Sequence, residues 1–153
     1  MIRIIVVACT LALASCTASE EAKQEATPVS ENERAVPAPT PDDVTVRITA
    51  AQNGQTVEVP VNQRFAIELV GVPTAGYQWA PTQLPAFIIR AGEASGNTIA
   101  AQSQPGYTGG NHWEVLMFSA TSAGTGELVL EQRRPWETGQ PASNTFRVTI
   151  TAP

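Results

Sequence analysis

The sequence predicts an all-β fold, and three observations support that prediction. Short segments alternate apolar with polar residues, which is the period of a half-buried strand. Glycine and proline turn signals separate these segments at short intervals, and no window shows helical periodicity. The alternation is clearest in residues 64–70, where three large apolar residues alternate with Ala66 and Glu68. We therefore predict a half-buried strand there.

The other elements follow from the same pattern. The predicted strands comprise residues 44–49, 56–59, 64–70, 77–79, 87–90, 112–120, 127–131 and 145–150, with a weaker candidate at 98–101. Residues 112–120 form a long and largely apolar run, which is typical of a central strand. Seven to eight short strands at this spacing favour an immunoglobulin-like β-sandwich, with a small barrel as the alternative.

Two details refine this prediction. Asn53-Gly54 lies between the first two predicted strands and is a strong signal for a tight hairpin. Trp79 follows an interstrand loop, which suits a core tryptophan of a sandwich. No disulfide can pack beside it, because residues 44–153 contain no cysteine.

The N-terminus predicts an export signal. Arg3 supplies a positive charge, a short apolar run follows, and Ala14 and Ser15 are the small residues expected before a cleavage point. The ending Leu13-Ala14-Ser15-Cys16 resembles a bacterial lipobox, in which Cys16 becomes the lipid-modified first residue. We therefore expect a lipoprotein signal peptide at residues 1–15, with an ordinary signal peptide as the alternative.

Lipidation of Cys16 would place the chain in the cell envelope, anchored to a membrane. Thr17 stands where an aspartate would resemble an inner-membrane retention signal. The expected location is therefore the outer membrane, facing the periplasm, if the cell is Gram-negative.

Residues 16–43 predict a disordered tether between the lipid and the folded domain. Seven acidic residues face only Lys23 and Arg34, and large apolar residues are nearly absent. Residues 36–41 carry proline at every second position after Val36, which favours polyproline II. The acidic excess of the chain, net charge −5, thus belongs to this segment. The folded domain is expected to span residues 44–153.

Composition excludes several function classes. The domain has six arginines against seven glutamates, so it has no basic field for nucleic acid. It has one histidine, His112, and no lysine, so a nucleophile–base pair is not expected. Glu58 and Glu68 alternate with apolar residues and are interpreted as solvated strand positions. We predict neither enzyme activity nor a cofactor or metal site.

Three loops carry unusual residues. The first is Pro73-Thr74-Ala75-Gly76-Tyr77, in which Pro73 fixes its own φ and Gly76 permits a positive one. This predicts a stiff, exposed tip at Thr74 and Ala75, which would lose little entropy on docking. The simpler interpretation is a well-formed interstrand loop.

The other two loops are Tyr107-Thr108-Gly109-Gly110 and Arg134-Pro135-Trp136-Glu137. Alternate loops of a sandwich gather at one end, so we expect the first and third side by side and the second flanking them. An exposed Trp136 would then be an aromatic anchor of a binding edge.

Together these motifs resemble the chagasin-like inhibitors of papain-family cysteine peptidases. That family carries an Asn-Pro-Thr-Thr-Gly-Tyr loop, a Gly-x-Gly-Gly loop and an Arg-Pro-Trp loop, in this order, on an immunoglobulin-like sandwich. The resemblance covers residues 44–153 and implies a monomeric, reversible inhibitor that plugs the active-site cleft of a papain-like peptidase. It implies ten peptidase-binding residues: Pro73, Thr74, Ala75, Gly76, Tyr77, Gly109, Gly110, Arg134, Pro135 and Trp136.

The chain departs from the family pattern in three places. Val72 replaces the asparagine, which removes a side chain able to brace the first loop by hydrogen bonding. Ala75 replaces the second threonine, and Tyr107 stands where the first glycine of the second loop is expected, unless Gly106 takes that place with one extra residue. The alternative function is a non-inhibitory envelope binding or assembly module on the same fold. A buried Trp136 would favour that alternative.

Overall fold

The computed structural model describes residues 30–153 and confirms the all-β sandwich. The eight strands are β1 (Val46–Thr49), β2 (Thr56–Glu58), β3 (Arg64–Gly71), β4 (Gln78–Gln83), β5 (Ile88–Asn97), β6 (His112–Ala120), β7 (Gly124–Arg133) and β8 (Asn144–Ala152). Short 3₁₀ turns occur at Glu31–Glu33, Ala50–Gln52, Pro73–Ala75 and Ala100–Ser103. Among residues 30–153, no helix is long and apolar enough to cross a membrane.

The strands form two four-stranded sheets. The first has the order β1-β3-β6-β5 and the second the order β2-β8-β7-β4. The pairs β1–β3 and β2–β8 are parallel, and the remaining pairs are antiparallel. β6 lies inside the first sheet between β3 and β5, which confirms the predicted central strand.

The main core lies between the two sheets. Every second residue of β3, β6 and β8 points inward, which follows from the period of two along a strand. Phe65 of β3 and Phe118 of β6 stack with ring centroids 5.7 Å apart. Trp79 is half-buried at the margin of this core, and its indole N–H donates to the carbonyl of Val70 at 2.9 Å.

The outer face of the first sheet is also covered, which the sequence pattern did not predict. Val44, Ala66, Val115 and Met117 form a second buried cluster on that face, with Ala38 packed against it. β3 is therefore buried on both faces and is not the half-buried strand that its alternation predicted.

The segment that covers this face is residues 35–43, here called the N-terminal strap. Val36 N–H donates to the carbonyl of Thr98 at 2.8 Å, and its own carbonyl accepts from the indole of Trp113 at 2.7 Å. Thr40 is buried and donates its hydroxyl proton to the carboxylate of Glu68.

Two sequence predictions are corrected by the N-terminal strap. The predicted disordered tether ended at residue 43, but its described part from residue 35 onward packs on the sheet, because small and proline side chains fit against Ala66 and Gly96. Glu68, predicted to be solvated, is only 8% exposed. Residues 1–29, with the predicted signal peptide and Cys16, lie outside the described residues.

The predicted hairpin at Asn53-Gly54 is wrong. β1 and β2 lie in different sheets, and the chain crosses between them at this point. Asn53-Gly54 instead forms the turn at which the chain passes from one sheet to the other, and this turn is bonded to β8. Asn53 Oδ1 accepts from Arg147 N–H at 2.9 Å, and Gly54 N–H donates to the Arg147 carbonyl at 2.7 Å. The weak strand candidate at 98–101 is also wrong, since β5 ends at Asn97 and a 3₁₀ turn follows.

Candidate functional site

Strand registers bring the three loops to one end of the sandwich. Gly71, the last residue of β3, pairs with His112, the first residue of β6. Gln78, the first residue of β4, pairs with Arg133, the last residue of β7. The first loop (72–77), the second loop (104–111) and the third loop (134–143) therefore lie at the same end, as the sandwich topology predicted. We call it the loop end.

The first loop is a compact turn with an exposed tip. Pro73–Ala75 form one 3₁₀ turn, and Gly76 ends it with a φ of 84°, which a residue with a Cβ adopts only with strain. Backbone hydrogen bonds link Val72 to Ala75 and to Tyr77 in both directions, at 2.9 to 3.3 Å. Thr74 and Ala75 are exposed, so the tip is presented on a stiff base.

The third loop packs directly against the first. A Cβ placed on Gly76 would overlap Cη2 of Trp136 and lie 2.7 Å from its Cζ2, so the indole rests on this glycine. Trp136 is nevertheless 67% exposed, and Pro135 beside it is exposed too. An open groove of about 600 Å³ lies beside Trp136 and is lined also by Tyr77 and Pro141. The indole thus stands at the rim of a concave surface.

Arg134 connects the first and third loops. Its Nε donates to the carbonyl of Ala75 at 2.8 Å, and its Nη1 donates to Glu137 Oε1 at 2.9 Å. The guanidinium lies over the ring of Tyr77, 4.4 Å from the centroid, in a cation–π contact. The guanidinium of Arg134 is thus engaged by groups of the chain itself, and its contacts hold the first and third loops in their relative positions.

The second loop flanks the other two without hydrogen bonds to them within the described residues. Gly109 and Gly110 both have positive φ, 80° and 95°. Gln102 Nε2 donates to the carbonyl of Asn111 at 2.7 Å and fixes the end of the loop. Tyr107 is 42% exposed, so the departure from the family glycine adds an aromatic ring to this end.

Glu114 is a residue of this end that the sequence analysis did not single out. Its Oε2 accepts from the Trp79 N–H at 2.8 Å, while its Oε1 is buried without a hydrogen-bond partner. Burial raises the pKa of the Glu114 carboxyl, the hydrogen bond from Trp79 opposes that rise, and the charge of Glu93 adds to it. One signal was available: Glu114 interrupts the apolar run of β6 on its inward-facing side.

No arrangement for catalysis is present among residues 30–153. His112 is half-buried, and its Nδ1 lies 3.2 Å from the carbonyl of Gly110. No group of three or more His, Cys, Asp or Glu side chains in this part of the chain could hold a metal ion. The geometry of the loop end is that of a binding edge.

Comparison with known proteins identifies the family. Residues 58–150 match the model of the chagasin family peptidase inhibitor I42. Amoebiasin-1 of Entamoeba histolytica is 30% identical over 92 residues, which cover 58% of this chain and 82% of that protein. The cysteine protease inhibitor EhICP2 from Entamoeba histolytica superposes with a TM-score of 0.61 at 18% identity, covering 74% of this chain and 100% of its own. The solution structure of Amebosin gives a TM-score of 0.55 at 26% identity, covering 71% of this chain and 97% of that one. The chain belongs to the chagasin family of peptidase inhibitors, which confirms the prediction that it is an inhibitor and not an enzyme.

Proposed function

We propose that this chain reversibly inhibits papain-like cysteine peptidases by inserting the first loop into the active-site cleft. The observation that carries the proposal is the joint exposure of Thr74 and Trp136 on two loops that pack together through Gly76. The three motifs that resemble those of chagasin-like inhibitors point to the papain family as the target class.

The shape of the first loop explains how it would block the cleft without being cut. A papain-like active site cleaves a peptide that lies extended across it. Thr74 instead sits in a 3₁₀ turn closed by backbone hydrogen bonds, so no extended segment is presented to the thiolate. Because the turn is already ordered, little conformational entropy remains to be lost on binding.

The neighbouring loops would complete the contact in two ways. Trp136 offers a large apolar surface next to the tip, which is typical of an anchor residue in an interface. Gly109 and Gly110 expose backbone groups that can pair along the cleft. We assign Arg134 and Tyr77 a different role, which is to hold the first and third loops together.

The alternative, a non-inhibitory envelope binding module, is not favoured by these observations. A buried Trp136 would have favoured it, but the indole is the most exposed large apolar side chain of the described residues. The two functions make opposite predictions for a peptidase titration.

Titration of papain with residues 17–153 tests the proposal. We expect stoichiometric, reversible inhibition that a Thr74→Arg, Trp136→Ala double variant loses. Ile89→Ala is a matched control, because Ile89 is also an exposed apolar residue, 51% exposed, but lies on edge strand β5. Absence of inhibition by a folded sample at micromolar concentration would reject the papain-type target and leave the binding module.

We also propose that the chain is anchored to the outer membrane through a lipid on Cys16 and acts as a monomer. The lipobox-like sequence supports the anchor. Expression of the full chain in a Gram-negative host with labelled palmitate should label the wild type and leave Cys16→Ser unlabelled and soluble. Label in both proteins would contradict lipidation at this residue.

A further inference from the structure

Glu114 lies where the two stems of the first loop meet. It is the third residue of β6 and points inward, because it alternates with the core residues Leu116 and Phe118. Gly71 ends the stem that enters the first loop, and Trp79 follows Gln78 on the stem that leaves it. β6 lies next to the entering stem in the first sheet, so the Glu114 side chain can reach both stems.

The Glu114 carboxyl touches both stems. Its Oε2 accepts from the backbone N–H of Trp79 at 2.8 Å, across the gap between the sheets. A Cβ placed on Gly71 would overlap Oε1 of Glu114 and lie 2.6 Å from its Cδ. Because Gly71 has no side chain, the Glu114 carboxyl can occupy the position that a Cβ at residue 71 would take on the entering stem.

The first loop itself offers no side-chain brace at its start. Val72 occupies the residue before the 3₁₀ turn and makes no capping hydrogen bond through its side chain. Apart from the contact of Arg134 with Ala75, the hydrogen bonds of this turn are between backbone groups. A brace from a neighbouring strand would therefore replace the one that Val72 cannot provide.

We propose that Glu114 is a positioning residue for peptidase binding, which fixes the separation of Gly71 and Trp79 and thereby the direction of the Thr74 tip. The inference deepens the proposed inhibition and rests on it. Both oxygens of the Glu114 carboxyl face the stems, because Oε2 accepts from Trp79 and the buried Oε1 lies against Gly71, so the carboxyl acts on the first loop and not directly on a peptidase.

The surroundings of Glu114 argue for a specific role over simple packing. It forms no ion pair within residues 30–153, and the side chains around the adjacent cleft include one other ionisable group, Glu93 of β5. Glu114 is half-buried, and a carboxylate with one buried, unpartnered oxygen lowers stability compared with an apolar residue of similar size. Its presence here is accounted for by the hydrogen bond to Trp79 and the contact with Gly71.

The test combines three variants with two measurements in residues 17–153. Glu114→Ala and Glu114→Leu both remove the acceptor, and the leucine variant keeps the volume so that the fold is retained. Glu114→Gln keeps an oxygen that accepts from Trp79. Glu68→Ala is the control, because Glu68 is a buried carboxylate of β3 that contacts Thr40 and not the first loop.

The first measurement is amide hydrogen exchange at Gly76 and Tyr77, whose N–H groups donate within the first loop at 2.9 and 3.2 Å. The second is the inhibition constant for papain. We expect Glu114→Leu to speed exchange at both amides and to weaken inhibition about tenfold, as ordering a loosened loop adds to the cost of binding. Glu114→Gln should restore both values to within about twofold of the wild type.

The two measurements separate this inference from the proposed function. If the wild type does not inhibit papain, the proposed function fails, while faster exchange in Glu114→Leu and its reversal in Glu114→Gln still support the positioning role. Unchanged exchange at Gly76 and Tyr77 in Glu114→Leu overturns it. Equal acceleration in Glu68→Ala overturns it too, because the effect would then be one of general stability.

Discussion

Gly76 is the residue on which the contact between the first and third loops depends. Alanine at this position must adopt a φ near 84° and must displace the Trp136 indole that rests on the glycine. The strained backbone alone costs about 1–2 kcal/mol. We therefore expect Gly76→Ala to unfold at a lower urea concentration than the wild type. It should also weaken papain inhibition at least about tenfold, because the Trp136 indole is displaced.

Gly54→Ala separates these two effects. Gly54 has a similar φ of 77°, but a Cβ there would meet nothing within 4 Å, and the residue is not part of the three loops. This variant should lose a similar amount of stability in the urea titration and keep the wild-type inhibition constant. Equal losses of inhibition in both variants would show that the contact with Trp136 is unimportant.

The Glu114 carboxyl predicts a pH dependence of stability. Burial raises its pKa in the folded chain above the ordinary value of 4.5. The folded state therefore binds the proton more tightly, and this contribution to stability is complete below pH 4.5 and is lost as pH rises through the folded pKa. Relative to Glu114→Gln, the wild type should have its highest free energy of unfolding in acid. A difference that is constant from pH 3 to pH 8 would contradict the shift.

Single residues show where sequence reasoning was limited. The exposed positions of Thr74 and Trp136 were predicted, because proline, glycine and local motifs determine the form of these loops. Glu68 was assigned to solvent from its alternation, which carries no information on what covers the outer face of a sheet. Arg134 was assigned to the peptidase, and its contacts with Ala75 and Tyr77 depend on a fold that joins residues far apart in sequence.

At the scale of elements, the first and third loops form one unit because Arg134 connects them. A lysine at this position keeps the positive charge but loses the planar group that bonds Ala75 and Glu137 and stacks on Tyr77. We expect Arg134→Lys to weaken papain inhibition about tenfold, the equivalent of about 1.4 kcal/mol. Arg147→Lys is the control, as Arg147 pairs with Glu127 away from the loop end. If Arg134→Lys inhibits papain as tightly as the wild type, the contacts of Arg134 between the two loops do not contribute to inhibition.

The strands themselves were predictable to different degrees. The long apolar run of β6 and the alternation of β8 predicted their positions well, because each reflects the burial of a strand within its sheet. Asn53-Gly54 misled because a turn signal fixes local backbone shape and does not determine which strands pair afterwards. β5 extends to Asn97 although it contains Gly92 and Gly96, since pairing with β6 outweighs weak local propensity.

At the scale of the whole molecule, the N-terminal strap runs the length of the first sheet. It begins beside Thr98 at the loop end and finishes at Asp43, whose carboxylate pairs with Arg64 at the opposite end. The sequence predicted a tether here because the segment is acidic, rich in proline and poor in large apolar residues. Such composition cannot form a core of its own, but small side chains can cover a face that another element provides.

Removal of the N-terminal strap should therefore destabilise the domain. A chain that begins at Val44 leaves the Trp113 indole without its acceptor on Val36, leaves Glu68 without Thr40, and exposes the cluster that contains Met117. These two lost hydrogen bonds, the lost backbone hydrogen bond from Val36 to Thr98 and the exposed apolar surface together amount to about 2–4 kcal/mol. Urea unfolding of residues 44–153 should show a lower midpoint than that of residues 30–153. Asp43→Ala in the longer chain is the control and should leave the midpoint unchanged, because its ion pair with Arg64 is exposed. If the two chains unfold at the same midpoint, the strap lies on the sheet without stabilising it, and the folded domain begins at residue 44 as its composition suggested.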